Sequence, residues 1–83
     1  MPVEQPIRDY ILENYLFTED QSALANEDSF LEKGILDSTG ILEIIYFIED
    51  DFGIKVEDEE MVPENLDSVN NLVAFIGRKN KAN

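Results

Sequence analysis

A chain of 83 residues is enough for one small domain, expected to span residues 1–83. It contains no Cys and no His, which excludes disulfides, Cys/His zinc centres, a thiol nucleophile and the commonest general base. Its net charge of −13, from 19 acids and 6 bases, repels nucleic acid and anionic membranes and attracts basic protein surfaces.

The first predicted element runs from about Val3 to Phe17. Ile7, Ile11 and Tyr15 recur every four residues, with Leu12 and Leu16 beside them, as on a helix with one apolar stripe. Pro2 and Pro6 are tolerated only near its start. Residues Thr18 to Asp37 form a long connection. Its apolar residues Leu24, Phe30, Leu31, Ile35 and Leu36 are expected to anchor it across the domain. Ser29-x-x-Glu32 fits a capping box for a short helical turn ending at Gly34.

The second helix is expected over Ser38 to Phe52, with Gly53 as its C′ stop. Its predicted core stripe is Ile41, Ile45, Ile48 and Phe52, with Ile44 on the flank. Ile54-Lys55-Val56 reads as an extended link. Asp58 to Val62 fits a short helix, which Pro63 should end by disfavouring helical geometry at Val62. Asp67 or Ser68 then caps a last helix with Val69, Leu72, Val73 and Ile76 on one face. Asn80 to Asn83 are expected to fray. The fold class is therefore all-α, with three main helices, one short helix and a long first loop.

On a helical wheel, Ser38, Leu42, Tyr46 and Glu49 lie off the core stripe, and Thr39, Glu43 and Asp50 lie further round. This outward face mixes apolar anchors with carboxylates, the composition of a protein-docking surface. Residues 37–64 hold ten acids and only one base, Lys55. Glu49, Asp50 and Asp51 sit at a helix C-terminus, where the dipole disfavours each by about 0.3–1 kcal/mol. Asp-Ser pairs occur at 28–29, 37–38 and 67–68. Capping chemistry alone does not separate them, because a helix N-terminus suits a serine cap and a bound phosphate equally.

The stretch Gly34-Ile-Leu-Asp-Ser-Thr, followed by Glu43, Glu49-Asp50-Asp51, Phe52-Gly53 and Asp58-Glu59-Glu60, resembles the acyl carrier protein family over nearly the whole chain. That resemblance implies a four-helix acyl-carrier-like bundle with a short third helix. It implies 4′-phosphopantetheine, derived from coenzyme A, attached covalently to Ser38, with Asp37 and Thr39 beside it. The group's thiol would hold an acyl or aminoacyl cargo as a thioester, supplying the sulfur that the chain lacks.

The implied partners are a phosphopantetheinyl transferase and acyl- or aminoacyl-activating ligases, condensing enzymes or acyltransferases with basic docking surfaces. They would dock on Leu42, Glu43, Tyr46, Glu49 and Asp50. Met61, Val62 and Leu66 would line a cleft for an apolar cargo, although Met61 and Leu66 taken singly read as core. The chain departs from the family pattern at Thr39, where Leu is usual, and at Gly40, where an acid is common and a partner-facing charge would be lost. With its longer 57–67 segment it looks more like stand-alone carriers of specialised pathways, including D-alanyl and aminoacyl carriers.

The chain is expected to be a monomer that is not itself an enzyme. Its lack of disulfides fits a reducing cytoplasm, its lack of Cys and His argues against metal and its charge against nucleic acid, and no apolar run approaches membrane-spanning length. The alternative is an acidic helical interaction module that is never modified, which leaves the Gly-x-Asp-Ser placement unexplained. A helix–loop–helix calcium site is set aside. Counting back from Gly34, Gly40 or Gly53 gives first ligands Ser29, Ile35 or Ile48, without the required oxygens after them.

Overall fold

A computed structural model describes residues 3–81. The chain folds to a radius of gyration of 11.9 Å. Helix α1 spans Glu4–Ile11, α2 Ser38–Phe52, α3 Pro63–Leu66 and α4 Val69–Lys81, with single 3₁₀ turns at Gln21–Ala23 and Asp58–Glu60. No strand occurs among the described residues. Pro2, Ala82 and Asn83 lie outside them; within them, α4 continues through Asn80 to Lys81, further than expected.

Helix α1 departs from the expected regular helix over its last turn. Residues Leu12–Leu16 are π-helical, and Phe17 closes the turn in the left-handed region at φ 55°. The wider i→i+5 turn breaks the four-residue stripe. Ile7, Ile11 and Leu12 are buried, while Tyr15 and Leu16 are only partly buried at the edge of the core.

The long connection is anchored as expected by Leu24, Phe30 and Leu36, all buried, but Leu31 is exposed. Buried Arg8 reaches the connection from α1. Its guanidinium donates to Asn26 Oδ1 at 2.6 Å, to Gln21 Oε1 at 3.1 Å and to the Gln21 carbonyl at 2.5 Å. These neutral acceptors satisfy a charge that would be costly to bury unpartnered. Asp67 binds the connection from the other side. Its carboxylate accepts from the Ser29 hydroxyl and the Leu31 N–H, and its carbonyl accepts from the Phe30 N–H at 2.8 Å. Ser68, not Asp67, caps α4, accepting the Asn71 N–H at 3.1 Å. Ser29 also accepts the Glu32 N–H at 3.1 Å, the expected first half of a capping box for the turn that ends at Gly34.

Helix α2 has the expected limits. Asp37 caps it, and Gly53, at φ 66°, ends it by donating to the Glu49 carbonyl at 3.1 Å. Its core stripe is rotated from the expected one. Ile44, Ile45 and Ile48 are fully buried and Gly40 is buried with them, whereas Ile41 and Phe52 are only partly buried. Leu36 packs over Gly40 on this rotated stripe: a Cβ at Gly40 would lie 3.1 Å from Leu36 Cδ2. A side chain at position 40 would therefore crowd Leu36 and the capping carboxylate of Asp37.

The expected helix at Asp58–Val62 is displaced. Only a 3₁₀ turn forms at Asp58–Glu60, closed by a Glu57–Glu60 capping box. Val62 is extended, as a residue before proline should be, and Pro63 opens α3 at its N1 position rather than ending a helix. The core is closed by Ile54, Val56 and Leu66 with Val69, Leu72, Phe75 and Ile76 of α4. Burial of each such side chain favours the fold by about 1.5–3 kcal/mol.

Candidate functional site

The site is built on the first two turns of α2. Asp37 Oδ1 accepts the Gly40 N–H at 2.8 Å and so occupies the capping role. Ser38 is thereby left free. It is exposed, and its hydroxyl has no hydrogen-bond partner among the described residues. Thr39 is exposed beside it. Of the other two Asp-Ser pairs, Ser29 is spent on Asp67 and Glu32, and buried Ser68 is spent on Asn71. Ser38 is the serine of the three whose hydroxyl is not used by the fold.

Two concavities flank it. An apolar groove of about 330 Å³ runs between α2 and the 61–67 segment. Leu31, Ile41, Leu42, Ile45, Met61 and Leu66 line it, together with Ser38. Met61 is thus an exposed groove residue rather than core, while Leu66 is core as well as lining. Leu31, Ile41 and Ile45 belong to this groove, although the sequence pattern placed them only as anchors or core. A shallower cleft lies round the helix, lined by Tyr15, Ile35, Asp37, Thr39 and Glu43.

The residues expected to dock partners share the outward surface. Leu42 and Tyr46 are 45 % and 65 % exposed on α2. Glu43 and Asp50 are exposed beside them. Tyr46, Phe47, Glu43, Glu49, Asp50 and Asp51 border one open concavity with Tyr10. Glu49 differs from the others. Its carboxylate is half-buried and accepts the Val56 N–H at 2.9 Å, fixing the chain just beyond the helix. That bond supplies a positive partner for one of the acids at the unfavourable helix end. Lys55 turns instead toward Glu57, at 3.8 Å and largely in solvent.

The site residues fit a phosphodiester-linked group. Ser38 offers an unspent, accessible oxygen on the first turn of a 15-residue helix. The N–H groups of that turn have no intrahelical acceptor, and the dipole favours an anion there. The adjacent groove could shelter an aliphatic arm.

No protein-family model matches the chain. A D-alanyl carrier protein of Streptococcus uberis is 41 % identical over 73 residues, which cover 88 % of this chain and 89 % of the relative. A D-alanyl carrier protein of Streptococcus equi subsp. zooepidemicus is 41 % identical over 61 residues, covering 74 % and 76 %. The fold matches the solution NMR structure of a holo acyl carrier protein from Nitrosomonas europaea, with a TM-score of 0.77 over 98 % of this chain and 99 % of that one, at 21 % identity. The chain therefore belongs to the acyl carrier protein family and functions as a carrier of acyl or aminoacyl groups.

Proposed function

We propose that Ser38 is the attachment point for 4′-phosphopantetheine and that the cargo is a small aminoacyl group, D-alanyl. The unspent hydroxyl of Ser38 on the capped first turn of α2 carries the first half of this reading. The identity to relatives named D-alanyl carrier proteins supports the second. When bound, the group supplies a thiol on which the cargo is held as a thioester.

The chain's own part in attachment is limited and specific. Ser38 Oγ attacks the pyrophosphate phosphorus of coenzyme A nearest pantetheine, a P–O bond forms, and 3′,5′-ADP leaves. The hydroxyl proton must pass to a base of the transferase, because no side chain of the described residues is hydrogen-bonded to Ser38. Asp37 holds the first turn closed, and Thr39 stands beside the new phosphodiester. The Ser38 and Thr39 N–H groups, which the Asp37 cap leaves free, and the helix dipole stabilise its charge.

Leu42 and Tyr46 act as apolar anchors for partner enzymes, with Glu43 and Asp50 meeting their Lys and Arg residues. The partners are a phosphopantetheinyl transferase and an aminoacyl-activating ligase, acting on a monomeric carrier in the cytoplasm. No helix among the described residues is long and apolar enough to cross a membrane.

A loading assay tests the cargo. The phosphopantetheinylated protein is incubated with ATP and radiolabelled D-alanine plus a D-alanine ligase, or with radiolabelled palmitate plus an acyl carrier synthetase. Label from D-alanine should precipitate with the protein and be released by hydroxylamine. Loading of palmitate alone, or of neither label, would overturn the cargo assignment; the attachment site is tested separately by whether the protein accepts phosphopantetheine at all.

A further inference from the structure

Glu43 has one side-chain partner among the described residues, and it comes from another element. The phenol of Tyr15, on the π turn that follows α1, donates its proton to Glu43 Oε1. The other carboxylate oxygen has no side-chain partner among the described residues, and the residue is exposed on α2. An aromatic row supports the phenol from behind. Tyr15 lies against Tyr10 at 6.0 Å between ring centroids, Tyr10 stacks on Phe47 at 4.3 Å, and Phe47 meets Phe52 edge-on at 5.9 Å. Burial, followed by the bond to Glu43, pushes the phenol's pKa up, so it remains a donor. The pair borders the cleft that also contains Asp37 and Thr39, next to the attachment turn.

A free glutamate on a docking face loses rotamer freedom when a partner cation captures it. A bond from Tyr15 to one oxygen reduces that loss beforehand while leaving the other oxygen unbonded. The π turn makes this reach possible, because it takes Tyr15 out of the buried α1 stripe.

We propose that Tyr15 is a positioning residue for partner recognition, holding the Glu43 carboxylate oriented toward an Arg or Lys of the docking enzyme. This rests on the docking role of Glu43 proposed above. A bond that merely ties the π turn to α2 would affect stability but not recognition.

Transferase kinetics with the carrier as the varied substrate, at a temperature where each variant is folded by circular dichroism, separate these roles. Tyr15→Phe keeps the ring packing and removes only the donor. It should raise KM about three- to tenfold with kcat unchanged. Glu43→Gln should raise KM at least as much, and the double variant should be no worse than Glu43→Gln alone. An unchanged KM in Tyr15→Phe beside a raised KM in Glu43→Gln would overturn the proposal and leave the docking face standing. Fully multiplicative effects in the double variant would overturn it in the same way. An unchanged KM in Glu43→Gln would instead overturn the docking role of Glu43 and this proposal with it.

Discussion

The Asp37 carboxylate accepts the Gly40 N–H at 2.8 Å, so the cap of α2 and its candidate attachment site are neighbouring but different residues. Replacing Asp37 with Ala should lower stability by about 1 kcal/mol in a denaturant melt. Replacing Ser38 with Ala should leave the melt unchanged, since its hydroxyl supports nothing in the fold. Equal destabilisation by both would show that Ser38 shares the capping role.

Gly40 lies under Leu36, and an added Cβ would sit 3.1 Å from Leu36 Cδ2. Leu36 is itself 3 % exposed, so it has little room to yield. Gly40→Glu, which restores the acid common elsewhere in the family, should therefore destabilise the protein by about 2 kcal/mol, measured by urea denaturation. A neutral result would mean that the Leu36 loop shifts freely.

Two neighbouring acids should respond oppositely. Asp50 is exposed at the C-terminal end of α2. Asp50→Lys should stabilise the helix by about 0.3–1 kcal/mol while raising the KM of the transferase for the carrier. Glu49→Ala removes the acceptor of the buried Val56 N–H and should cost about 1–3 kcal/mol, so its effect on docking cannot be read without a melt.

These pairs show why some features were legible in sequence and others were not. The limits of α2 depend on Asp37 and Gly53, whose capping chemistry is local. Its rotated core stripe includes Gly40 packed under Leu36 from a loop, a contact that periodicity within α2 does not report. The sequence pattern places a helix over Asp58 to Val62 with Pro63 as its stop, whereas the helix lies beyond Pro63, because proline suits the first helical position as well as it ends a preceding helix. The π turn at Leu12–Leu16 has no local signature, so periodicity places Tyr15 on the core stripe and does not report its bond to Glu43. Ser38 stood out only through its resemblance to a family motif; the structure adds that its two rival serines are occupied.

Glu60 joins the 57–66 segment to α4. Its carboxylate accepts the Glu57 N–H and the Lys79 ammonium, each at 2.9 Å, and these bonds hold its pKa below the ordinary glutamate value. A depressed folded pKa gives stability that is present above the unfolded pKa and lost as pH falls through the folded one. Lys79→Met should lower the melting temperature at pH 7, with the difference from wild type shrinking below about pH 4. A difference that is constant across this range would assign the loss to packing of the Lys79 stem.

Ser38 is the proposed bearer of the prosthetic group. Intact-mass spectrometry after incubation with coenzyme A and a broad-specificity phosphopantetheinyl transferase tests it most directly. One phosphopantetheine should be added to the wild-type protein and none to Ser38→Ala. An unmodified wild-type protein, or an addition that survives in Ser38→Ala, would contradict the account.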